Sequence, residues 1–542
     1  MAGANRHAGQ RRPRRSACHP GVGSPAHLAR NPPQAAGGLC AGALGRSRAC
    51  AAASTLFYFS PPKFMTLALN SAALQMLHAW GENMRARSYV HQPTTAAELQ
   101  AAFALAQRTG ISIALRGAGQ SYGDAALNSE QIVVCLSQMN RITHWSAANG
   151  VVELEPGVTL AQLWRHCISD GWWPPVVSGT MYTSVGGCAA MNIHGKNNWR
   201  AGNFAEHILE FTAVLPAGNI VRCSRTENSD LFHAIPGSFG MLGCITALRL
   251  QLKRIHTGLV SVTALAAPSL QAMLQLLDEH KNSSDYVVGW IDAAAGGTGL
   301  GRGQIHAASY YNPPNTAAHA HSLLLQHQDL PARLFGVFPA QYAWLGLRLA
   351  NNAPGLRLLN ALKYVSARLQ HGRTYLQSLA GFNFLLDYVP DWKRAYRPGG
   401  LIQHQSFIPK ENALAAYRQL LQACHNARLL PTLAVLKRHQ PDAQYAVSYC
   451  PDGYSLALDF SARVRTRKQL AALLAQLDQI VVAAQGRFYF AKDSALHPAN
   501  AHASLGADSL KTLLALKQRC DPKNLLQTNL SRRLLPELHA IV

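Results

Sequence analysis

Three glycine-rich clusters carry the residue types best suited to cradling a ligand. The first is Arg116-Gly117-Ala118-Gly119-Gln120-Ser121-Tyr122-Gly123-Asp124. Glycines let the backbone fold back and aim successive N–H groups at one point, a concave seat for anionic oxygens. The spacing is G-x-G-x-x-x-G and no helical pattern follows, so this is neither a Rossmann turn nor a P-loop. Taken alone, such a segment is equally compatible with an ordinary tight turn. The second cluster joins Ser178-Gly179-Thr180, Val185-Gly186-Gly187-Cys188-Ala189-Ala190 and Asn192-Ile193-His194-Gly195-Lys196-Asn197. Its small residues would let a flat ring lie against backbone, with amides bonding the ring's polar edge. The third, Gly237-Ser238-Phe239-Gly240-Met241-Leu242-Gly243-Cys244-Ile245, ends just before a strand. Three such clusters at strand boundaries point to one extended ligand with phosphates and a planar ring.

The elements that must position these clusters follow from hydrophobic period and capping signals. Thr95 and Glu98 read as a capping box, Gly110 as a C-cap, and the segment between as a helix. Strands are expected at 111–115, 132–136 and 151–154. A second capping box at Thr159 and Gln162 opens a helix that stops near Gly171. Further strands are expected at 209–215, 219–223 and 244–252. In the last of these Leu248, Leu250 and Leu252 alternate with Arg249, Gln251 and Lys253, the period of a half-buried strand. Beyond about residue 257, helices near 269–280, 411–429 and 467–485 punctuate strands at 286–291, 402–408, 433–437 and 455–460. That pattern predicts an antiparallel sheet with helices on one side. The tail from 487 reads as a strand, a helix and a break at Asp521-Pro522.

The chain has 542 residues, a formal charge of +23, and 48% hydrophobic against 14% charged residues, which fits a large globular core. No apolar run is long enough for a transmembrane helix. The 11 cysteines lack paired spacing, which argues against a zinc site or disulfide framework and fits a reducing compartment. Residues 1–64 are rich in Arg, Ala, Gly and Pro and contain no Asp or Glu. The expectation there is disorder. A transit peptide or nucleic-acid arm is one reading. The plainer one is a dispensable or mis-assigned start, with Met65 as the real beginning. The remaining positive excess suits an anionic substrate or surface. No nucleic-acid-binding module is recognisable, so no nucleic acid is expected as a partner.

The three clusters resemble the FAD-binding domain of the vanillyl-alcohol oxidase / p-cresol methylhydroxylase family. Further similar segments are Trp80-Gly81, Asp230-Leu231-Phe232, Trp392 with Arg394-Ala395-Tyr396, Gln403-His404-Gln405, Ala491-Lys492-Asp493-Ser494, Asp521-Pro522 and Arg532-Arg533. The likeness runs from about 76 to 535. It is strongest to a branch that oxidises the ribose 2′-hydroxyl of a polyprenyl-phosphate carrier. The resemblance implies an α+β fold: a two-subdomain FAD-binding domain at 65–257, a substrate domain with an antiparallel sheet at 258–486, and a C-terminal return to the FAD domain at 487–542. It implies FAD held by Arg116, Gly117, Ala118, Gly119, Gln120, Ser121, Tyr122, Gly179, Thr180, Gly186, Gly187, Asn192, His194, Gly195, Asn197, Gly240, Gly243 and Ile245. Many relatives tether FAD through a histidine in the first loop. Gln120 stands there, so non-covalent FAD is expected.

The same resemblance nominates Lys492, His194 and Asp459 as catalytic. Lys492 would stabilise negative charge on the flavin or the substrate oxygen, and His194 or Asp459 would act as base. Gln403, Gln405, Lys437, Trp290, Tyr489 and Asn383 are the implied substrate positions. For the aromatic residues plain core packing is the competing account, and for Asp459 an ordinary strand-end carboxylate. Ala457, Asn383 and His439 replace a cysteine, a tyrosine and a phenylalanine of that branch, which bears on substrate choice rather than on FAD. The implied function is oxidation of a secondary sugar hydroxyl, with a keto product passed to a short-chain reductase. The alternatives are a soluble sugar, alditol or aldonolactone oxidase, and a flavin-holding subunit without turnover. No metal is expected. The expected location is cytoplasmic, with peripheral contact to the inner membrane. The segment 323–369, which mixes basic and apolar residues, is the candidate for that contact; a pair of ordinary surface helices is the alternative.

Overall fold

The computed structural model describes residue 69, residues 73–334 and residues 336–540. The tail assigned to 1–64 lies outside the described residues. Residues 67–542 form one compact unit.

Two small sheets build the first half of that unit. In the first, β1 (Leu74–His78) pairs antiparallel with β2 (Arg85–His91), and β4 (Ile132–Cys135) runs parallel to β2 and to β3 (Ile113–Arg116). Helix α1 (Ala96–Thr109) covers it. Thr95 accepts from the Glu98 amide, but the Glu98 carboxylate turns back to Thr94 rather than Thr95, so only half of the expected box forms. The second sheet has the order β5 (Ile142–Ser146), β6 (Val151–Leu154), β9 (Cys244–Gln251), β7 (Ile208–Val214), β8 (Ile220–Ser224). Helix α3 (Val185–Ala190) packs against Cys244–Gln251, and helix α2 (Leu160–Cys167) follows β6. Here Thr159 and Gln162 form the complete box, because each side chain reaches the other's backbone N–H.

The second half is one antiparallel sheet of eight strands. Its order is β13 (Thr374–Ser378), β10 (Leu259–Ala267), β12 (Gly303–Tyr310), β11 (Tyr286–Ile291), β15 (Leu433–His439), β16 (Gly453–Ser461), β14 (Leu401–Pro409), β17 (Arg487–Phe488). The strands β10, β12 and β13 were not anticipated. The helices α4 (Leu270–His280), α7 (Lys410–Asn426) and α8 (Arg467–Ala483) pack against this sheet. Their buried Leu277, Leu421 and Leu477 are core residues, as are Leu436, Leu456 and Leu458 of the strands. The strand β17 belongs to this sheet, although its two residues fall in the segment assigned to the C-terminal return.

The rest of that segment does reach back. Two helices, α9 (Pro498–Leu505) and α10 (Ala507–Cys520), replace the one expected. After them the Ile113 amide donates to Leu525 O at 2.6 Å and the Gln527 amide to Ile113 O at 2.9 Å, extending the first sheet beyond β3. A buried ion pair fixes this turn. Lys517 Nζ lies 2.5 Å from Asp521, and Asp521 also accepts the amides of Leu525 and Leu526. No described helix is long and apolar enough to cross a membrane.

Removing one partner of a fully buried pair leaves an uncompensated charge. Lys517→Met should lower unfolding free energy by about 3–5 kcal/mol in urea titrations.

Candidate active site

One face of the eight-stranded sheet supplies His306, Gln403, Gln405, Lys437, Ser455 and Asp459 to a large cavity. In antiparallel pairs, directly opposed residues share a face. The register sets His306, Val288, Lys437 and Ser455 in one row. Trp290, Val435, Ala457 and Gln405 form the next row, and Leu433, Asp459 and Gln403 the next. All eleven line a cavity of about 590 Å³, together with backbone of all three glycine clusters. That volume suits a cofactor-sized ligand.

At one end lies the first glycine loop. The amides of Gly117, Gly119, Gln120 and Ser121 have no acceptor among the described residues, and Ala118 N donates to Ser184 Oγ at 3.1 Å. A Cβ on Gly117 would stand 2.2 Å from that same oxygen. Glycine is thus what allows the loop to close on the second cluster while leaving its amides for an anion. This fits a diphosphate. The second and third clusters complete the wall with Gly179, Thr180, Gly186, Gly187, Gly240, Gly243 and Ile245. Asp387 pins the second cluster, accepting from Thr180 Oγ1 at 2.7 Å and Met181 N at 2.8 Å. Burial raises its pKa to about 6.

Four positions nominated as cofactor contacts stand behind the wall. The Arg116 side chain donates to His78 O and Ala126 O. Asn192 Oδ1 accepts the Ala205 amide, Asn197 Nδ2 donates to Pro175 O, and Gly195 lies against Asn197. These residues shape the loops from outside. Ala118, Gln120, Ser121, Tyr122 and Asn383 line the cavity.

The nominated catalytic residues converge on the same cavity. His194 is buried, and its Nε2 lies 3.0 Å from the Gln405 amide nitrogen. Lys437 Nζ is 3.4 Å from its Nδ1. Burial, then the charges of Lys437, His439 and Lys492, holds its pKa well below the ordinary histidine value, so the ring is neutral. A neutral ring has one donor and one acceptor nitrogen. With Lys437 uncharged, Nδ1–H donates to Nζ. With Lys437 charged, Nζ donates to Nδ1 and the Gln405 amide turns its oxygen toward Nε2–H. The Tyr489 hydroxyl donates to Met191 O at 3.2 Å, holding the turn that carries His194.

Asp459 is 1% exposed. Its Oδ1 accepts from Gln403 Nε2, and its Oδ2 has no partner among the described residues. Burial raises its pKa to about 6, opposed by the Gln403 bond and the Lys492 charge. Lys492 Nζ sits 3.6 Å from the Tyr122 ring centroid. Burial lowers its pKa to about 7, with Asp459 opposing and Lys437 reinforcing. Three further basic cavity residues went unnominated: Lys196, His306 and Lys363. Lys196 lay within the quoted His-Gly-Lys-Asn motif. Lys363 lay within the basic and apolar segment. His306 gave no local signal.

Residues 88–224 match the FAD binding domain family. This chain is an FAD-linked oxidoreductase. It is 27% identical over 436 residues to decaprenylphosphoryl-β-D-ribose oxidase of Mycolicibacterium smegmatis, covering 79% of this chain and 90% of that protein. It is 29% identical to chitooligosaccharide oxidase of Gibberella zeae over 29% of this chain and 32% of the relative. It is 25% identical to L-gulonolactone oxidase of mouse over 36% of this chain and 43% of the relative. The flavoprotein's family match ends at residue 224, whereas the first of these likenesses covers far more of the chain.

Gly117→Val should strip the flavoprotein of FAD. The ratio of flavin to protein absorbance should fall at least about tenfold, while far-UV circular dichroism keeps the wild-type shape.

Proposed function

We propose that this flavoprotein oxidises a secondary hydroxyl of a sugar, and that its substrate is a pentose carried on a polyprenyl phosphate, oxidised at the ribose 2′-position. The observation that carries this reading is the cavity's lining. It leads from the unpaired amides of the first glycine loop to the sheet face, and in its wall Lys196, Lys363, Lys437 and Lys492 outnumber one carboxylate, Asp459. Such a lining suits an anionic, hydroxylated substrate. The likeness to the ribose oxidase over 90% of its length supports the pentose.

Bound FAD supplies the two-electron acceptor that takes a hydride from the carbinol carbon. The residues of this chain manage the proton and the orientation. The unpartnered Oδ2 of Asp459 takes the hydroxyl proton as the carbonyl forms. Lys492, charged at neutral pH or below, stabilises negative charge building on the oxygen. Gln403 and Gln405 hold Asp459 and His194 in place, and Trp290 offers a face for the sugar ring. Gln120 lines the cavity where many relatives carry a linking histidine, which supports non-covalent FAD. The keto sugar would pass to a short-chain reductase that returns the hydride at the opposite face. This would place the protein in the supply of cell-wall polysaccharide precursors, on the cytoplasmic side. Likeness to the chitooligosaccharide and gulonolactone oxidases keeps a soluble sugar oxidase as the second reading.

Anaerobic bleaching of the flavin separates the two. Polyprenyl-phosphoryl ribose should bleach it, and Lys492→Met should slow that bleaching about 10²–10⁴-fold. Bleaching by free polyols or oligosaccharides alone would overturn the pentose assignment.

The acid–base groups set a pH signature. Asp459 must be ionised, so kcat/KM should rise as pH climbs through about 6. Lys492 must be protonated, so kcat/KM should fall above about 7. Asp459→Asn should flatten the rising limb and lower the plateau, as read from initial rates between pH 5 and 9 at about half-unit steps.

A further inference from the structure

The helix α6 (Ala353–Leu369) faces the wrong way for a core helix. Its buried positions are Asn360 and Ala367. The residues on the opposite side, Leu358, Leu362, Val365 and Leu369, are 55–71% exposed. At 100° per residue these four fall within an arc of about 60°. An apolar stripe normally turns inward; here it turns outward. The preceding helix α5 (Ala343–Ala350) packs against α6 and adds exposed Leu345 and Leu349, the latter 80% exposed. Exposed apolar surface of this extent on adjoining elements marks an interaction face.

The charge around the stripe says what covers it. From Pro331 to Leu386 the sequence contains no Asp or Glu. Arg333, Arg348, Arg357, Arg368 and Arg373 are exposed there, and none has an ion-pair partner among the described residues. Apolar side chains flanked by unpaired arginines match a surface with anionic groups above a hydrocarbon layer. A soluble protein partner would need a matching acidic and apolar face. The basic N-terminal stretch of this chain would be repelled.

The same helix reaches the cavity. Lys363, one residue beyond Leu362, lines the cavity with its Nζ 4.2 Å from the Trp290 ring centroid. The outward stripe and part of the cavity wall are therefore carried by one helix.

We propose that the α5–α6 face seats this protein on an anionic lipid bilayer, setting the entrance beside Lys363 at headgroup level. A lipid-linked sugar can then reach the flavin without its chain leaving the bilayer. This rests on the substrate reading above and adds the surface through which that substrate arrives.

Flotation of the full-length flavoprotein with phosphatidylcholine vesicles, with and without phosphatidylglycerol, tests it. The protein should float with the anionic vesicles and release on raising salt, since screening weakens the headgroup attraction. Leu358→Glu/Leu362→Glu should cut flotation about tenfold or more while leaving flavin content and the unfolding midpoint unchanged. These residues are exposed, so the fold should tolerate the change. Flotation of the double variant equal to that of the parent would overturn the proposal and assign binding to another part, such as the basic N-terminal stretch. Absence of flotation would overturn it too. So would a dimer in solution that the double variant makes monomeric, which would give the face to a second copy. The vesicles contain no sugar, so a failure here leaves the substrate reading standing. Flotation without bleaching by the lipid-linked pentose would instead defeat the substrate reading alone.

Discussion

The site depends on the closure of residues 490–493 against the first glycine loop. The Tyr122 amide donates to Ala491 O at 3.0 Å, and a Cβ on Gly123 would stand 1.9 Å from Asp493 O. Arg533 locks the contact from behind, donating to Asp124 at 2.7 Å and to Asp493 at 2.8 Å. These half-buried charges are paired on two sides, the condition under which buried ions persist. The result is positional. Lys492 lies over Tyr122, next to the loop that receives the diphosphate and across from Asp459. Without Gly123 the two backbones could not approach this closely, and the lysine would not reach the cavity.

The electrostatics of the cavity follow from that enclosure. Burial is the first cause of every shift among His194, Lys492 and Asp459, and each moves toward neutrality. Groups that ordinarily titrate far from pH 7 are brought near it, while a histidine that ordinarily titrates near it is taken away. Such inversion is what proton transfer at neutral pH requires. Helices supply the opposite face of the sheet with leucines, so the polar face is free for chemistry because the apolar one carries the packing.

Much of this arrangement was legible locally. The strands Val151–Leu154 and Tyr286–Ile291 fall where alternation or an apolar run placed them, and Gly110 and Gly171 end their helical segments in the left-handed conformation. Two of the missed strands share a reason. Leu259–Ala267 and Gly303–Tyr310 are rich in Ala, Ser and Gly, and their strand state comes from pairing with each other and with neighbours. The site divided similarly. Residues within the motifs could be nominated, yet motif membership does not separate lining positions from those behind them, and Arg116, Asn192, Gly195 and Asn197 are not among the cavity-lining residues. His306 joins the site only through its register with Val288, a pairing no local pattern reveals. Helix α6 inverts the usual inference, because its period is genuine but its apolar side is not the core side.

The extension of the first sheet by residues 525–527 has a consequence for biogenesis. Ile113 and Leu526 are neighbours in space but lie at nearly opposite ends of the described chain. As the polypeptide leaves the ribosome, the glycine loop emerges long before the segment that closes over it. Stable cofactor retention must therefore await synthesis of residues 525–527. A nascent chain interrupted between residues 225 and 491 would carry the whole FAD binding domain match and still lack the lysine, the arginine lock and the completed sheet.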